Sequence, residues 1–475
     1  MVAGLAAVAL LALVGAGVVV VRPGPVAGWL GETAAATPSA APSTPEPEPS
    51  PVLAAASTDA PAPTAAGVKA VLDPLVASSG LGARTHLSVV DVATGETLYS
   101  RAPTTATVPA STTKLATATA VLAARGPAYR IETRVVAGSN PGEVVIIGGG
   151  DPTLAVGATG TYPGAARLDQ LAKQVTRALG GAIPTKVIVD TTLFTGPTLA
   201  PSWDSDVLPG GFGAPTTALT INGARVNPKQ FPGYAERYST PDLAAGQAFA
   251  KALGVSTKAV TRGKAPATPD ASAATPTPGS APAPGTVLGT VQSPPVLRLV
   301  EYMLIDSDNV VAEYLARQVA IARGEPASYA GGGAATLAVL AELGLPTTGA
   351  ALSDGSGLSR ANRLTAALLT DLLRLAASDA HPELVGVIGG LPVAAWSGTL
   401  RDRYRSPAAG GLGAGVVRAK TGTLSGVNSI SGVMVTADGR LLAFAVLADQ
   451  VPMGKDQAEV RLDTLTAALA TCGCS

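Results

Sequence analysis

Ala110-Ser111-Thr112-Thr113-Lys114-Leu115 sets a hydroxyl and an amine three residues apart at the start of an expected helix, Ser111 to Ala124. Residues i and i+3 share one helix face. A serine in the first turn also lies where backbone N–H groups lack intrahelical partners and negative charge is favoured. An acyl-transfer serine needs a base beside it and donors for its oxyanion, and this stretch offers both. Alone, Ser-x-x-Lys is a common accident in a chain of 475 residues, and an ordinary helix start is the plainer reading.

Two further stretches change that balance. Ser307-Asp308-Asn309 falls between two expected helices, Val296–Leu304 and Asn309–Ala322. By itself it reads as a helix N-cap. Chemically it offers a second hydroxyl for proton relay and a carboxamide for a substrate amide. Lys420-Thr421-Gly422-Thr423 ends an expected strand, Val416–Lys420. By itself it is a strand-to-turn junction. Chemically it suits an edge strand pairing with an extended peptide, its lysine holding a carboxylate and its glycine permitting close approach. In the order S-x-x-K, S-x-N, K-T-G, each on the element expected of it, the three together specify an acyl-transfer site.

Composition narrows the alternatives. Lys+Arg and Asp+Glu number 33 each, which argues against a nucleic-acid binder. The two histidines, His86 and His381, make a His-based metal site improbable and leave little room for a Ser–His–Asp triad. No metal and no cofactor is expected. Cys472 and Cys474 are the only cysteines, and a bridge between residues this close is expected to be strained, so they read as an inert tail.

Residues 1–22 form a transmembrane anchor or signal segment, because Val2 through Val21 carry no charge and are long enough to span a bilayer. This implies membrane attachment or secretion, and an extracytoplasmic location for the rest. Residues 23–66 are a Pro/Ala/Thr-rich linker that cannot bury a core. From Gly67 the pattern is globular. A strand, Thr85–Val92, turns back as Thr97–Ser100, and the late strands Ser429–Val435 and Leu441–Leu447 flank a turn at Asp438-Gly439. Helical patterns fill the middle, including Ala334–Leu343 and Leu364–Ala377, and a last helix runs from Gln457 to Leu469. Strands at both ends with helices between them predict an α+β domain, residues 67–140 and 294–475, whose sheet joins sequence-distant segments. Residues 141–293 read as an inserted module with helices Leu168–Leu179 and Asp242–Leu253, strands Val144–Ile147 and Lys186–Val189, and a Pro/Ala-rich loop at 264–284.

With these motifs the chain resembles the class C low-molecular-mass penicillin-binding proteins, the D-alanyl-D-alanine carboxypeptidase/endopeptidase family. Ser307 follows Ser111 by 196 residues, similar to the large insert of that family and far too long for a plain class A β-lactamase. Gly148-Gly149-Gly150-Asp151-Pro152-Thr153-Leu154, Asp354-Gly355-Ser356-Gly357-Leu358-Ser359-Arg360 and Ser397-Gly398-Thr399-Leu400 look like it too, as does Met303-Leu304-Ile305-Asp306 running into Ser307. The resemblance covers roughly residues 67–470.

It implies a penicillin-binding-protein/β-lactamase-like transpeptidase fold, an antiparallel sheet flanked by helices. It also implies peptidoglycan peptides ending in D-Ala-D-Ala as substrate and β-lactam antibiotics as inhibitors. Ser111 would attack the carbonyl between two D-alanines, and Lys114 would take the proton, its ammonium destabilised by neighbouring positive charge and burial. Backbone N–H groups of Ser111 and Thr423 would form the oxyanion hole. Ser307 would pass the proton to the leaving amine and Asn309 would hold the substrate amide. Lys420 with Thr421 or Thr423 would hold the terminal carboxylate, with Gly422 between them. Two other readings share the motifs: a β-lactamase, which must deacylate quickly, and a non-catalytic wall-binding or sensory protein on the same scaffold. Gly148-Gly149-Gly150 lacks the lysine of a phosphate loop and reads as a tight turn. Asp151 and Asp354 read as turn or cap residues, and Trp203 and Trp396 as packing residues.

Overall fold

The computed structural model describes residues 60–233, 235–268, 281–405 and 412–472. The apolar run 2–21, nearly all of the linker, the centre of the Pro/Ala-rich loop and Cys474 lie outside the described residues. Among the described residues, no helix is long and apolar enough to cross a membrane.

A first helix, α1 (Ala65–Ser78), leads into the hairpin β1 (Thr85–Asp91) and β2 (Thr97–Arg101), then α2 (Thr113–Arg125). Strands β3 (Glu132–Ala137) and β4 (Glu143–Ile147) follow, then α3 (Leu168–Ala178), β5 (Lys186–Asp190), α4 (Pro241–Ala252), β6 (Val260–Arg262) and β7 (Val287–Gln292). Next come α5 (Val296–Ile305), α6 (Asn309–Ala322), α7 (Tyr329–Glu342), α8 (Ala366–Ala376) and the short α9 (Val385–Gly389). The chain closes with β8 (Arg418–Leu424), β9 (Val427–Val435), β10 (Leu441–Asp449) and α10 (Lys455–Ala470).

The first sheet has the order β2-β1-β10-β9-β8 and is antiparallel throughout. It joins the two ends of the chain as expected: Leu87 of β1 sits opposite Val446 of β10. Side chains alternate across a strand, and β10 uses both faces. Leu442, Phe444 and Val446 pack with α1 and α10, through Val68, Leu72, Leu462 and Leu465. Ala443, Ala445 and Leu447 face the helical layer, among Leu115, Met303, Leu315, Leu368 and Leu372. The two alanines let α8 lie close to the sheet. Each buried large aliphatic or aromatic side chain contributes about 1.5–3 kcal/mol.

The second sheet has the order β6-β5-β4-β3-β7, with β3 antiparallel to both neighbours and β4, β5 and β6 parallel. Helices α3 and α4 close over it through Leu168, Leu171, Val175, Ala245 and Phe249. Its first strand, β3, precedes residue 141.

Several local expectations need correction. Strands β3, β6 and β7 are not expected from the sequence. Helix α1 begins at Ala65, two residues inside the stretch read as linker, because Thr64 caps it by accepting the Gly67 N–H at 3.1 Å. Helix α7 begins at Tyr329, before Gly331-Gly332-Gly333, because Ser328 caps it and the glycines permit close packing. A Cβ on Gly333 would come within 2.1 Å of the Leu352 carbonyl oxygen. Strand β8 runs on to Leu424, so Lys420 to Thr423 lie inside it rather than at its end. Trp396, expected to pack, is 77% exposed, whereas Trp203 does pack, edge-on to Tyr329. Cys472, expected in an inert tail, is buried among the α1 and α10 side chains and is disulfide-bonded.

Candidate active site

Ser111 lies in a single 3-10 turn, Ala110–Thr112, that runs directly into α2, rather than in the α-helix itself. The turn is fastened from within: Thr112 Oγ1 donates to the Pro109 carbonyl and Thr113 Oγ1 to that of Ala110, which has a φ of 48°. Helix α2 runs through the middle of the helical layer, so Lys114 is fully buried. Its Nζ donates to Ser111 Oγ at 3.0 Å, Asn309 Oδ1 at 2.6 Å and the Ser356 carbonyl at 2.7 Å. Three acceptors satisfy its three protons. Burial pushes the Lys114 ammonium down to about 8, against the pull of Asp354, Glu313 and Asp308. The lowering comes first from burial, which the surrounding carboxylates oppose; a positive neighbour is present as well, since Lys114 and Lys420 repel each other.

Ser307 and Asn309 reach the same point from the turn between α5 and α6. Ser307 adopts a left-handed φ of 56°. Asp308 caps α6, its Oδ1 accepting the N–H groups of Val310 and Val311 at 3.0 and 3.2 Å. Its other oxygen accepts Tyr162 OH at 2.7 Å and Arg225 Nη2 at 3.1 Å, and Arg225 also donates to Tyr162 OH at 2.8 Å. Tyr162 and Arg225 come from the excursion between β4 and β7. A third contact from that excursion is the Phe212 carbonyl, which accepts Asn309 Nδ2 at 2.9 Å. The carboxamide is thus oriented from both ends.

Strand β8 is an edge strand. The start of its outer edge is covered, since Ala419 N–H donates to the Pro392 carbonyl and Ala394 N–H to that of Val417. Beyond it, Thr421, Thr423, Leu424 and Ser425 line the cleft. Thr421 and Thr423 alternate with Lys420 and Gly422 along the strand. Lys420 is fully buried and donates to the Thr421 carbonyl at 2.7 Å. Burial, and secondarily the Lys114 charge, push its ammonium well below the usual lysine range. Thr421 Oγ1 lies 2.9 Å from Thr399 Oγ1, within the stretch Ser397–Leu400.

The cleft holds about 660 Å³ and is lined by Ser111, Ser307, Asn309, Thr421 and Thr423, with Phe212, Leu358 and Thr399. Every residue expected at the site is therefore gathered at one place, with Lys114 and Lys420 behind the wall. Sequence reasoning missed the supports. Asp354 is buried and collects the N–H groups of Gly357 and Ser359, Trp203 Nε1 and Asn362 Nδ2. This bears out its reading as a turn residue and makes it the anchor of the loop whose Ser356 carbonyl meets Lys114. Asp151 likewise accepts the backbone and side chain of Thr153. Arg360 pairs with Asp204 across the cleft rim at 2.7 Å. The Asp-Gly-Ser-Gly-Leu-Ser-Arg run was the available signal for this loop; nothing local marks Arg225 or Tyr162.

Comparison with known proteins agrees with this geometry. The chain is 39% identical over 451 residues to a carboxypeptidase of Mycobacterium tuberculosis, covering 94% of this chain and 92% of that one. It is 39% identical over 426 residues to carboxypeptidase DacB of Mycolicibacterium smegmatis, covering 87% and 86%. Its fold matches the crystal structure of penicillin-binding protein 4 from Haemophilus influenzae with a TM-score of 0.67 at 22% identity, over 84% of this chain and 99% of that one. That protein has also been solved in complex with a β-lactam, where the TM-score is 0.61. Residues 68–265 and 273–471 match the D-Ala-D-Ala carboxypeptidase 3 (S13) family. The chain belongs to that family of peptidases and has the penicillin-binding fold.

Proposed function

We propose that the chain is a serine-type D-alanyl-D-alanine carboxypeptidase that trims peptidoglycan stem peptides through an acyl-enzyme on Ser111. One observation carries this reading: Lys114 Nζ, buried and brought down to about 8, lies 3.0 Å from Ser111 Oγ. A base with a pKa near the working pH combines availability with proton-transfer driving force. Ser111 Oγ attacks the penultimate D-Ala carbonyl as its proton passes to Lys114. The N–H groups of Ser111 and Thr423 receive the oxyanion. Ser307 relays that proton: it gives its hydroxyl proton to the departing amine as the C–N bond breaks and takes the one held by Lys114, so free D-Ala leaves and Lys114 is neutral again. Water then adds to the ester as Lys114 takes its proton, and Lys114 returns that proton to Ser111 Oγ as the acyl C–O bond breaks, so Ser111 and the neutral amine are both restored.

Asn309 holds the substrate amide. Thr421 and Thr423 hold the terminal carboxylate by hydroxyl contact, with Lys420 supplying charge from behind the strand, since an arriving carboxylate favours its ammonium form. Penicillin acylates Ser111 by the same attack. The substrate places the catalytic unit outside the cytoplasmic membrane, and the apolar run 2–21 serves as its leader or anchor.

Defined muropeptides incubated with the enzyme, with products read by mass, test the activity. Release of D-Ala supports carboxypeptidase action, cleavage of cross-linked dimers adds endopeptidase action, and neither product overturns the reading. Fluorescent penicillin gives a persistent labelled band for this function and rapid turnover for a β-lactamase. Full acylation in Lys114→Ala sinks Lys114 as the base.

A further inference from the structure

Glu313 stands on α6 one turn beyond Asn309, has no role in the reaction above, and is 1% exposed. Its Oε1 accepts the Ser356 N–H at 2.9 Å and its Oε2 the Gly355 N–H at 3.2 Å. The carbonyl of that same Ser356 accepts Lys114 Nζ at 2.7 Å. The Gly355 carbonyl is held in turn by Thr117 Oγ1 at 2.7 Å, one turn past Lys114 on α2. Two catalytic helices therefore grip one stretch of backbone, and that stretch touches the base.

A structural ion pair explains this arrangement poorly. Arg317, next along α6, approaches Glu313 Oε2 only to 3.6 Å. It lies over the Tyr329 ring instead and donates from Nη1 to the Glu313 backbone carbonyl at 3.1 Å, while its Nε and Nη2 meet no hydrogen-bond partner among the described residues. The carboxylate turns its oxygens to the loop rather than to the guanidinium. Ionised groups are buried at a cost unless their geometry is well satisfied.

We infer that Glu313 is a positioning residue for acylation: through the Gly355–Ser356 backbone it fixes the carbonyl that holds Lys114. This rests on the reading of Lys114 as the base. Electrostatics extend the geometry. The charged groups around this point are Asp354 on the loop, Arg317 and Asp308 on and before α6, Lys114 on α2 and Lys420 on β8, with the Tyr329 hydroxyl on α7. Burial, then Asp354, raises the Glu313 carboxyl to about 7, with Arg317 opposing. Ionised Glu313 favours the ammonium form of Lys114. Removing the charge therefore frees the base at lower pH while loosening its position.

Acylation of the full chain by fluorescent penicillin, followed between about pH 6 and pH 10, tests this. In Glu313→Gln the rising limb moves to lower pH by about half a unit to one unit, and the plateau falls about tenfold. In Glu313→Asp the charge remains but the reach shortens, so the limb stays and the plateau falls. A Glu313→Gln plateau that falls with the limb unmoved marks a merely structural residue and overturns the inference. So does a Glu313→Asp enzyme with the full wild-type rate, which also decides the matter if the Gln variant does not fold. A wild-type enzyme with no limb in this range overturns the reading of Lys114 instead.

Discussion

A Cβ at position 422 would stand 3.0 Å from the backbone nitrogen of Ser111, so Gly422 is what lets β8 lie against the nucleophile. The same atom would meet Ser429 Oγ at 2.2 Å and the Pro109 carbonyl oxygen at 2.7 Å. Neither neighbour can yield freely, because Ser429 Oγ is itself bonded to that carbonyl at 2.7 Å. Gly422→Ala must push β8 off the turn that carries Ser111. Displacement of a reacting group by about 1 Å costs on the order of a hundredfold in rate. We expect Gly422→Ala to lower β-lactam acylation by about that factor, with a stability loss of about 1–3 kcal/mol from overpacking. Acylation kinetics beside a urea titration separate the two effects.

The burial of Lys114 predicts the pH dependence of the first step. Acylation needs the neutral amine, and burial lowers the ammonium from its ordinary 10.5 to about 8. The rate should therefore rise with pH through about 8 and level off above it. Lys114→Met, which keeps the stem and removes the amine, should lower the plateau by about 10²–10⁴ and abolish the limb. Stopped-flow acylation across this range reads both quantities.

The parts of this site that carry chemistry were legible in the sequence because each motif supplies its own side chains within four residues. Ser111, Lys114, Ser307, Asn309 and Lys420 all fall where the motifs put them. What holds them was not legible. Lys114 is met by a backbone carbonyl, that of Ser356, and a carbonyl leaves no trace in residue type. Arg225 and Tyr162 reach Asp308 from 83 and 146 residues away, and Glu313 reads as one more polar residue on an amphipathic helix. The same limit applies to the fold. β1 and β10 alternate or run apolar and were found, whereas the three residues of β6 and the Glu-Thr-Arg start of β3 are strands only because a neighbour pairs with them.

Lys420 should be a site where function and stability conflict. It is fully buried and, among the described residues, bonds only to the Thr421 carbonyl and forms no ion pair. Methionine fills the same volume without a charge to desolvate. Replacing buried ionic groups by apolar side chains of similar size is often stabilising by about 1–4 kcal/mol. We expect Lys420→Met to raise Tm while kcat/KM on D-Ala-D-Ala peptides falls, since no charge then meets the terminal carboxylate. Calorimetry and D-Ala release on the same preparation decide it. A lower Tm with turnover retained is the opposite result and removes Lys420 from carboxylate binding.

The Arg225–Asp308 pair makes the opposite prediction, because here both charges are buried and matched. Burial raises the Asp308 carboxyl, but Arg225 and Arg237 override it and hold it down at about 2. A carboxyl lower in the folded than the unfolded state stabilises the fold above its unfolded value, and that stability is lost as pH falls through the folded one. For Asp308 the window runs from the ordinary 3.8 down to about 2. Arg225→Met leaves Asp308 buried without its nearest cation, which should cost about 3–5 kcal/mol at neutral pH. The pH effect also weakens: with Arg225 gone and Arg237 left to oppose burial, the carboxyl moves upward, so the acid loss shrinks. Tyr162→Phe removes two hydrogen bonds, the one to Asp308 and the one from Arg225, and keeps both charges, so about 1–3 kcal/mol is expected with the direction of the wild-type pH dependence retained. Urea midpoints measured from about pH 2 to pH 6 distinguish these outcomes. Should Arg225→Met keep the wild-type slope in acid, Arg225 is not what holds the Asp308 charge. The anchoring of Ser307 and Asn309 would then rest on the helix cap alone.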